Sequence, residues 1–198
     1  MKHAVIGTIE NRAGEACGVT RLAISDYAPA CGDALVRMWR ASFEHGVGIE
    51  DPHPLEGQLA YFHEQVLPKH HVRLAWQDET LVGFLAANHE SVAQLYVRVG
   101  HHRRGIGAHL LGLAKRDSAG SLWLHTFQQN WVARRFYERH GFTAVEFGFE
   151  PMWKLADVKY RWVRGGTAAR PRHEAATRPA GPTPASSCRS HAEGPGAG

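Results

Sequence analysis

The stretch Val97-Arg-Val-Gly-His-His-Arg-Arg-Gly-Ile-Gly-Ala-His-Leu-Leu111 constrains this chain more than any other. A β-type run enters it, a glycine-bearing loop follows, and Gly105-Ile106-Gly107 opens into a segment with Ile106, Leu110, Leu113 and Ala114 at helical spacing. The first amides of a helix have no partner inside it, and the helix dipole favours negative charge there. Glycines let a ligand come close to that backbone. Arg103 and Arg104 add positive charge. A strand–loop–helix junction of this kind suits a phosphate or pyrophosphate.

Two phosphate-binding patterns do not fit. G-x-x-x-x-G-K-[ST] demands Lys after its second glycine, but Gly105 is followed by Ile106. G-x-G-x-x-G demands a third glycine where Leu110 stands. A third pattern, Q/R-x-x-G-x-G/A after a strand, is met by His102-Arg-Arg-Gly105-Ile-Gly107, with His102 in place of Gln or Arg. Further on, Asn130-Trp-Val-Ala-Arg-Arg-Phe-Tyr137-Glu-Arg-His-Gly-Phe142 fits N-x-x-A-x-x-F/L-Y-E-x-x-G-F. Leu95-Tyr96-Val97 supplies the strand before the loop. In these segments the chain resembles the GCN5-related N-acetyltransferase (GNAT) family, across roughly Val19 to Val163.

The remaining patterning alternates strands and helices. Val19 to Ile24 reads as a strand, and Ser25 or Asp26 as the cap of a helix carrying Ala34-Leu35, Met38-Trp39 and Ser42-Phe43. Pro54 opens a second helix with Leu55, Leu59, Phe62 and Val66, closed by Pro68. Residues 71–77 and 80–88 form a hairpin about Asp78-Glu79. Strands follow at 92–99 and 121–127. Asn130 caps a helix with Val132 and Phe136 inward, ended by Gly141, and strands at 142–147 and 158–163 close the sheet.

The resemblance implies an α/β (α+β) GNAT fold. Its sheet is mixed and mostly antiparallel, flanked by helices, with a splayed central parallel pair, here 92–99 and 122–127. It implies acetyl-CoA as co-substrate, lying in the gap, and no metal. The main chain of Leu95, Tyr96 and Val97 would pair with the pantetheine arm as a missing strand would. The amides of Arg103, Arg104, Gly105, Ile106, Gly107 and Ala108 would hold the pyrophosphate, while an Arg103 or Arg104 side chain reaches the 3′-phosphate or solvent. The substitution at His102 touches only a side-chain contact. Asn130 is a helix cap, and by resemblance also a pantetheine contact. Tyr137 lies two turns further along the same helix face. By resemblance it protonates the departing thiolate; its plain alternative is a core-edge tyrosine.

The chemistry asks for a base as well. An alkyl ammonium has a pKa near ~10 and must lose a proton before it attacks a thioester. The oxyanion needs a donor such as the Val97 amide. Some family members carry a Glu late in the strand before the Asn; here that position is His125, which titrates in a useful range. Glu44 and Glu90 are rivals. No cysteine falls in the motifs, so direct transfer is expected rather than a thiol relay. The expected activity is transfer of an acetyl group to the amine of a small molecule. Trp39, Phe43, Glu44, His45, Tyr61, Phe62 and the run from Phe149 to Trp153 are the candidate acceptor side. Alternatives are a protein N-terminal or lysine acetyltransferase and a non-catalytic acyl-CoA-binding module.

Composition sets the outer limits. A segment at 1–17 is weakly patterned, a domain spans 18–164, and the tail from 165 to 198 holds 8 Ala, 6 Gly and 5 Pro with no aromatic residue, as expected of disorder. Net charge is +4, too weak to argue for nucleic acid. No apolar run is long enough for a membrane span, and the start is too short for a signal peptide before Glu10. Three scattered cysteines, Cys17, Cys31 and Cys188, fit a cytoplasmic protein. The adjacent pairs His70-His71 and His101-His102 lack metal-ligand spacing. A monomer or homodimer acting on a small-molecule amine, with no nucleic acid and no membrane, is the expectation.

Overall fold

The structure is a computed structural model and describes residues 21–166. The segment 1–17, nearly all of the tail, Cys17 and Cys188 lie outside the described residues.

Strand β1 spans Leu22–Asp26, and a single 3₁₀ turn at Pro29–Cys31 leads into helix α1, Gly32–Val47. Ser25 and Asp26, expected as helix caps, instead finish the strand. The Ser25 hydroxyl accepts from Trp76 Nε1 at 3.0 Å, and Asp26 Oδ1 meets His71 Nε2 at 2.7 Å. Cross-strand partners outbid the helix for these two side chains. Helix α1 forms because Leu35, Val36, Met38, Trp39, Phe43 and Val47 recur at three- and four-residue steps, and all six are buried. Gly48 ends it in the left-handed region, with its N–H donating to the Glu44 carbonyl at 2.7 Å.

Helix α2, Leu55–Tyr61, widens into a π-helical turn at Phe62–Val66, where the Leu67 N–H donates to the Phe62 carbonyl at 2.8 Å. Phe62 and Val66 are buried there. Strands β2, His71–Gln77, and β3, Thr80–Ala87, form the expected hairpin, with Asp78 at positive φ in the turn. Strand β4 is Val92–Val97, helix α3 Ile106–Asp117, strand β5 Ser121–Phe127 and helix α4 Trp131–Arg139. Strands β6, Thr143–Glu150, and β7, Leu155–Val163, close the described chain.

Two antiparallel sheets result, ordered β1-β2-β3-β4 and β5-β7-β6. Among the described residues they join at one isolated parallel bridge, Ser91 to Trp123, where the Trp123 N–H donates to the Glu90 carbonyl at 3.0 Å. The α/β architecture with helices on the sheet faces is as expected. Between β4 and β5, expected as a splayed parallel pair, this bridge is the parallel pairing found among the described residues.

Two apolar clusters cover the two faces. One packs Ile106, Leu110, Leu111 and Ala114 of α3 with Tyr137 of α4 against Val82, Leu85, Leu122, Leu124, Val158 and Tyr160. The other packs α1 and the Phe62–Val66 turn against Leu74, Leu81, Phe84 and Ala86. Strand β3 faces both clusters, and for that reason every residue after Thr80 is buried.

Candidate active site

The end of β4 carries a free edge. Gly83 lies opposite Val97 in the β3–β4 ladder, and the Arg98 N–H donates to the Val82 carbonyl at 2.8 Å. In an antiparallel ladder that bond makes Gly83 and Val97 a non-hydrogen-bonded pair. The main-chain N–H and C=O of Val97, and by alternation those of Leu95, therefore point away from β3. Those of Tyr96 point into the ladder. Of the three main-chain positions expected to pair with a ligand, the register turns Leu95 and Val97 away from β3.

The loop after β4 turns sharply. Gly100, Arg103 and Gly105 all have positive φ, which costs little at the glycines and strains Arg103. Gly105 is the N-terminal boundary of α3, and the His109 N–H donates back to its carbonyl at 2.9 Å. The amides from Gly105 to Ala108 precede that first helical bond, so the helix itself gives them no acceptor. A side chain at Gly107 would touch the Phe136 ring at 3.4 Å and Val97 at 3.5 Å, so β4, the start of α3 and α4 converge at this point. Arg103 and Arg104 are exposed and make no ion pair among the described residues. His102 lies against the same edge. Its Nε2–H donates to the Val97 carbonyl at 3.1 Å, and its ring stacks on His45 of α1 at 6.1 Å.

Asn130 caps α4 as expected, its Oδ1 accepting from the Ala133 N–H at 3.0 Å. Its Nδ2 faces α1, where a side chain on Gly46 would come within 3.0 Å. The adjacent Gln129 Nε2 donates to the Val47 carbonyl at 2.7 Å, tying the start of α4 to the end of α1. Val132, expected inward, is 72% exposed, and Phe136 is only half-buried. The inward face of α4 is carried by Ala133, Phe136 and Tyr137. The capping geometry at Asn130 turns Val132 to solvent, apolar though its side chain is.

Tyr137 is buried among Phe136, Phe142 and Tyr160. Loss of water pushes its phenol well above the ordinary range, and the nearby Tyr96 phenol pushes in the same direction. Tyr96 itself is pushed up to about 12, mainly by desolvation, with Trp39 lowering and Tyr61 raising it. Both phenols therefore hold their protons at neutral pH. The Tyr96 ring stacks on Phe84 at 5.9 Å and tilts against Trp39 at 6.1 Å.

His125 lies on β5 with Leu122 and Leu124 on the opposite, core-facing side. Its own side is shared with Trp123 and, two residues on, with Phe127, whose ring meets Phe43 of α1 at 6.1 Å. His125 and Tyr137 thus lie on opposite faces of β5. His125 Nδ1 is 3.1 Å from Asp157 Oδ2. Asp157 escaped the sequence reading because β7 was expected to start at Val158; it starts three residues earlier. Of the rival bases, Glu90 lies at the Ser91 bridge, the opposite end of β4 from Val97, and Glu44 accepts from the Asp51 N–H at 3.0 Å.

The candidate acceptor side divides. Trp39, Phe43 and Phe62 are core residues. Tyr61, Phe149 and Met152 are exposed, whereas Trp153 packs on Phe43 at 4.7 Å and against His53 at 5.3 Å. Among the described residues no group of three or more His, Cys, Asp or Glu could hold a metal ion, and no helix is long and apolar enough to cross a membrane.

Residues 32–142 match the family model described as the acetyltransferase (GNAT) family. No curated protein matches. Among solved structures, the chain is similar to the PaiA N-acetyltransferase from Thermoplasma acidophilum in complex with coenzyme A, at 18% identity and TM-score 0.58, covering 72% of this chain and 98% of that one. YncA from Salmonella typhimurium, with its cofactor acetyl-CoA, is 17% identical with TM-score 0.56, covering 75% and 96%. Apo YjaB from Escherichia coli is 18% identical with TM-score 0.60, covering 72% and 98%.

Proposed function

The chain belongs to the GNAT acetyltransferase family, and from that premise we propose that it moves an acetyl group from acetyl-CoA directly onto the nitrogen of a small-molecule amine. The observation that carries this reading is the outward main-chain edge of Leu95 and of the Val97 N–H, beside the Val97 carbonyl that His102 engages, running straight into the amides at the start of α3 that have no acceptor within the helix. An extended amide-bearing arm suits the edge, and a pyrophosphate suits the amides beyond it. PaiA and YncA, similar in fold, were solved with coenzyme A and acetyl-CoA respectively.

When bound, acetyl-CoA supplies an activated thioester carbonyl. The Val97 N–H is a donor for the charge that develops on that carbonyl oxygen. His125 takes a proton from the ammonium of the acceptor, directly or through one water. Tyr137, protonated at neutral pH as a phenol is, gives its proton to the leaving sulfur and regains one from the acceptor nitrogen. The balance closes: a C–N bond forms, a C–S bond breaks, and the ammonium loses two protons, of which one ends on sulfur and one goes to water. Asn130, besides capping α4, offers Nδ2 toward the α1 side of the seam. Glu44, His45 and Trp153 border that side, which suits an amine carrying apolar bulk.

The test is release of coenzyme A thiol from acetyl-CoA with pooled amino acids, polyamines, aminoglycosides, arylalkylamines and short peptides. Tyr137→Phe should slow turnover by roughly 10²–10⁴ and leave acetyl-CoA binding intact. Release with peptides alone would replace the small-molecule reading with protein acetylation. Binding without release from any pool would replace it with a binding module.

A further inference from the structure

We propose that Asp157 is a positioning residue for His125: it fixes the imidazole with hydrogen on Nδ1 and leaves Nε2 as the proton acceptor for the incoming amine. The inference rests on His125 being the base of the reaction proposed above. A carboxylate only accepts hydrogen bonds, so the ring nitrogen 3.1 Å from Asp157 Oδ2 must donate. The neutral ring then carries its lone pair on Nε2, which has no hydrogen-bond partner among the described residues.

The surroundings fit an orienting role. The Asp157 side chain is 16% exposed and the His125 side chain 47%, so the carboxylate is held inside while the ring reaches solvent. Asp157 lies opposite Gly148 in the β6–β7 ladder, and a Cβ at Gly148 would fall 2.6 Å from Asp157 Oδ1. Only a residue without a side chain allows the carboxylate that position. The backbone on either side is clamped to the end of β5, since Gln128 Nε2 donates to the Asp157 carbonyl and the Gln128 N–H to the Ala156 carbonyl, both at 2.9 Å. Lys159 stands directly across the ladder from His125, and Arg161 shares that face opposite Trp123. The Lys159 ammonium is drawn aside, 5.3 Å over the Trp123 ring and 3.9 Å from Glu146 of β6. After each proton transfer the imidazolium faces a carboxylate, and its exposed edge returns the proton to water.

The experiment is a double-mutant cycle on the full chain, with His125→Gln, Asp157→Asn and the pair, followed by kcat, the KM for acetyl-CoA and ¹⁵N shifts of the His125 ring. Asp157→Asn should lower kcat roughly 10- to 100-fold with the KM for acetyl-CoA unchanged within about twofold, and the pair should be no slower than His125→Gln alone. The ring shifts should report Nε2 unprotonated in the neutral wild type and a mixture of tautomers in Asp157→Asn. Gly148→Ala, which displaces the carboxylate without removing it, should lower kcat in the same direction. A kcat for Asp157→Asn within twofold of wild type, or an equal loss in the His125→Gln background, overturns the proposal while leaving His125 as base. Full activity in His125→Gln overturns both.

Discussion

Strands β3 and β6 are each eight residues long and share almost nothing else. Every residue of β3 after Thr80 is buried, whereas none of β6 is. β3 is interior to its sheet and covered by α1 on one face and α3 on the other. β6 is the edge of the second sheet, with Val145, Phe147 and Phe149 all more than half exposed. β3 is covered on both faces, whereas β6 presents its residues to water. The candidate site joins both conditions, with the buried Tyr137 and the partly buried Tyr96 packed against the apolar clusters and the imidazole of His125 exposed. A base that must return protons to water gains from exposure.

The largest effect that would break this contrast is in β3. Phe84 is fully buried between Trp39 and Tyr96. Phe84→Ala should cost about 3–5 kcal/mol in chemical denaturation, enough to leave a marginal domain largely unfolded. A cost below about 1 kcal/mol would mean that β3 is not the keel that its burial indicates.

What was legible in the sequence is what is local in it. The strand, loop and helix around Gly105 could be read because the chemistry is local: glycines at positive φ, a free helix start and an apolar helix face. Asn130 could be read for the same reason, as a side chain that caps its own helix. The acceptor of His125 could not, because Asp157 is 32 residues away and only a ladder register brings it there. The length of β6, by contrast, is legible, since Val145-Glu146-Phe147-Gly148-Phe149-Glu150 alternates to the observed end of the strand, three residues past the expected 147. Tyr96 was read for its main chain, yet the ladder uses that main chain and leaves the side chain at the seam.

A smaller effect sharpens the contrast through pH. Burial raises the Tyr96 phenol from its ordinary value near 10 to about 12 in the folded chain. The unfolded chain loses that proton first. The stabilising contribution is therefore complete below about pH 10 and is lost as pH rises toward 12. Tyr137, raised in the same way, adds to the loss. Thermal melts at pH 9 and pH 11 should show a drop in Tm for the wild type that is smaller in Tyr96→Phe. An equal drop in both would mean that water reaches the Tyr96 phenol, and the seam would then be wet.

The smallest effect is expected on β6, and it is the more searching test of the exposed strand. Phe147 is 64% exposed and stands across the ladder from the buried Val158. Its replacement removes little buried area and one cross-strand contact, so Phe147→Ser should cost no more than about 1 kcal/mol. A midpoint shift in urea worth more than about 2 kcal/mol could not come from the contacts of this strand within one chain. It would have to come from something covering β6 in solution, and its dependence on protein concentration would say whether that is a second copy of the chain.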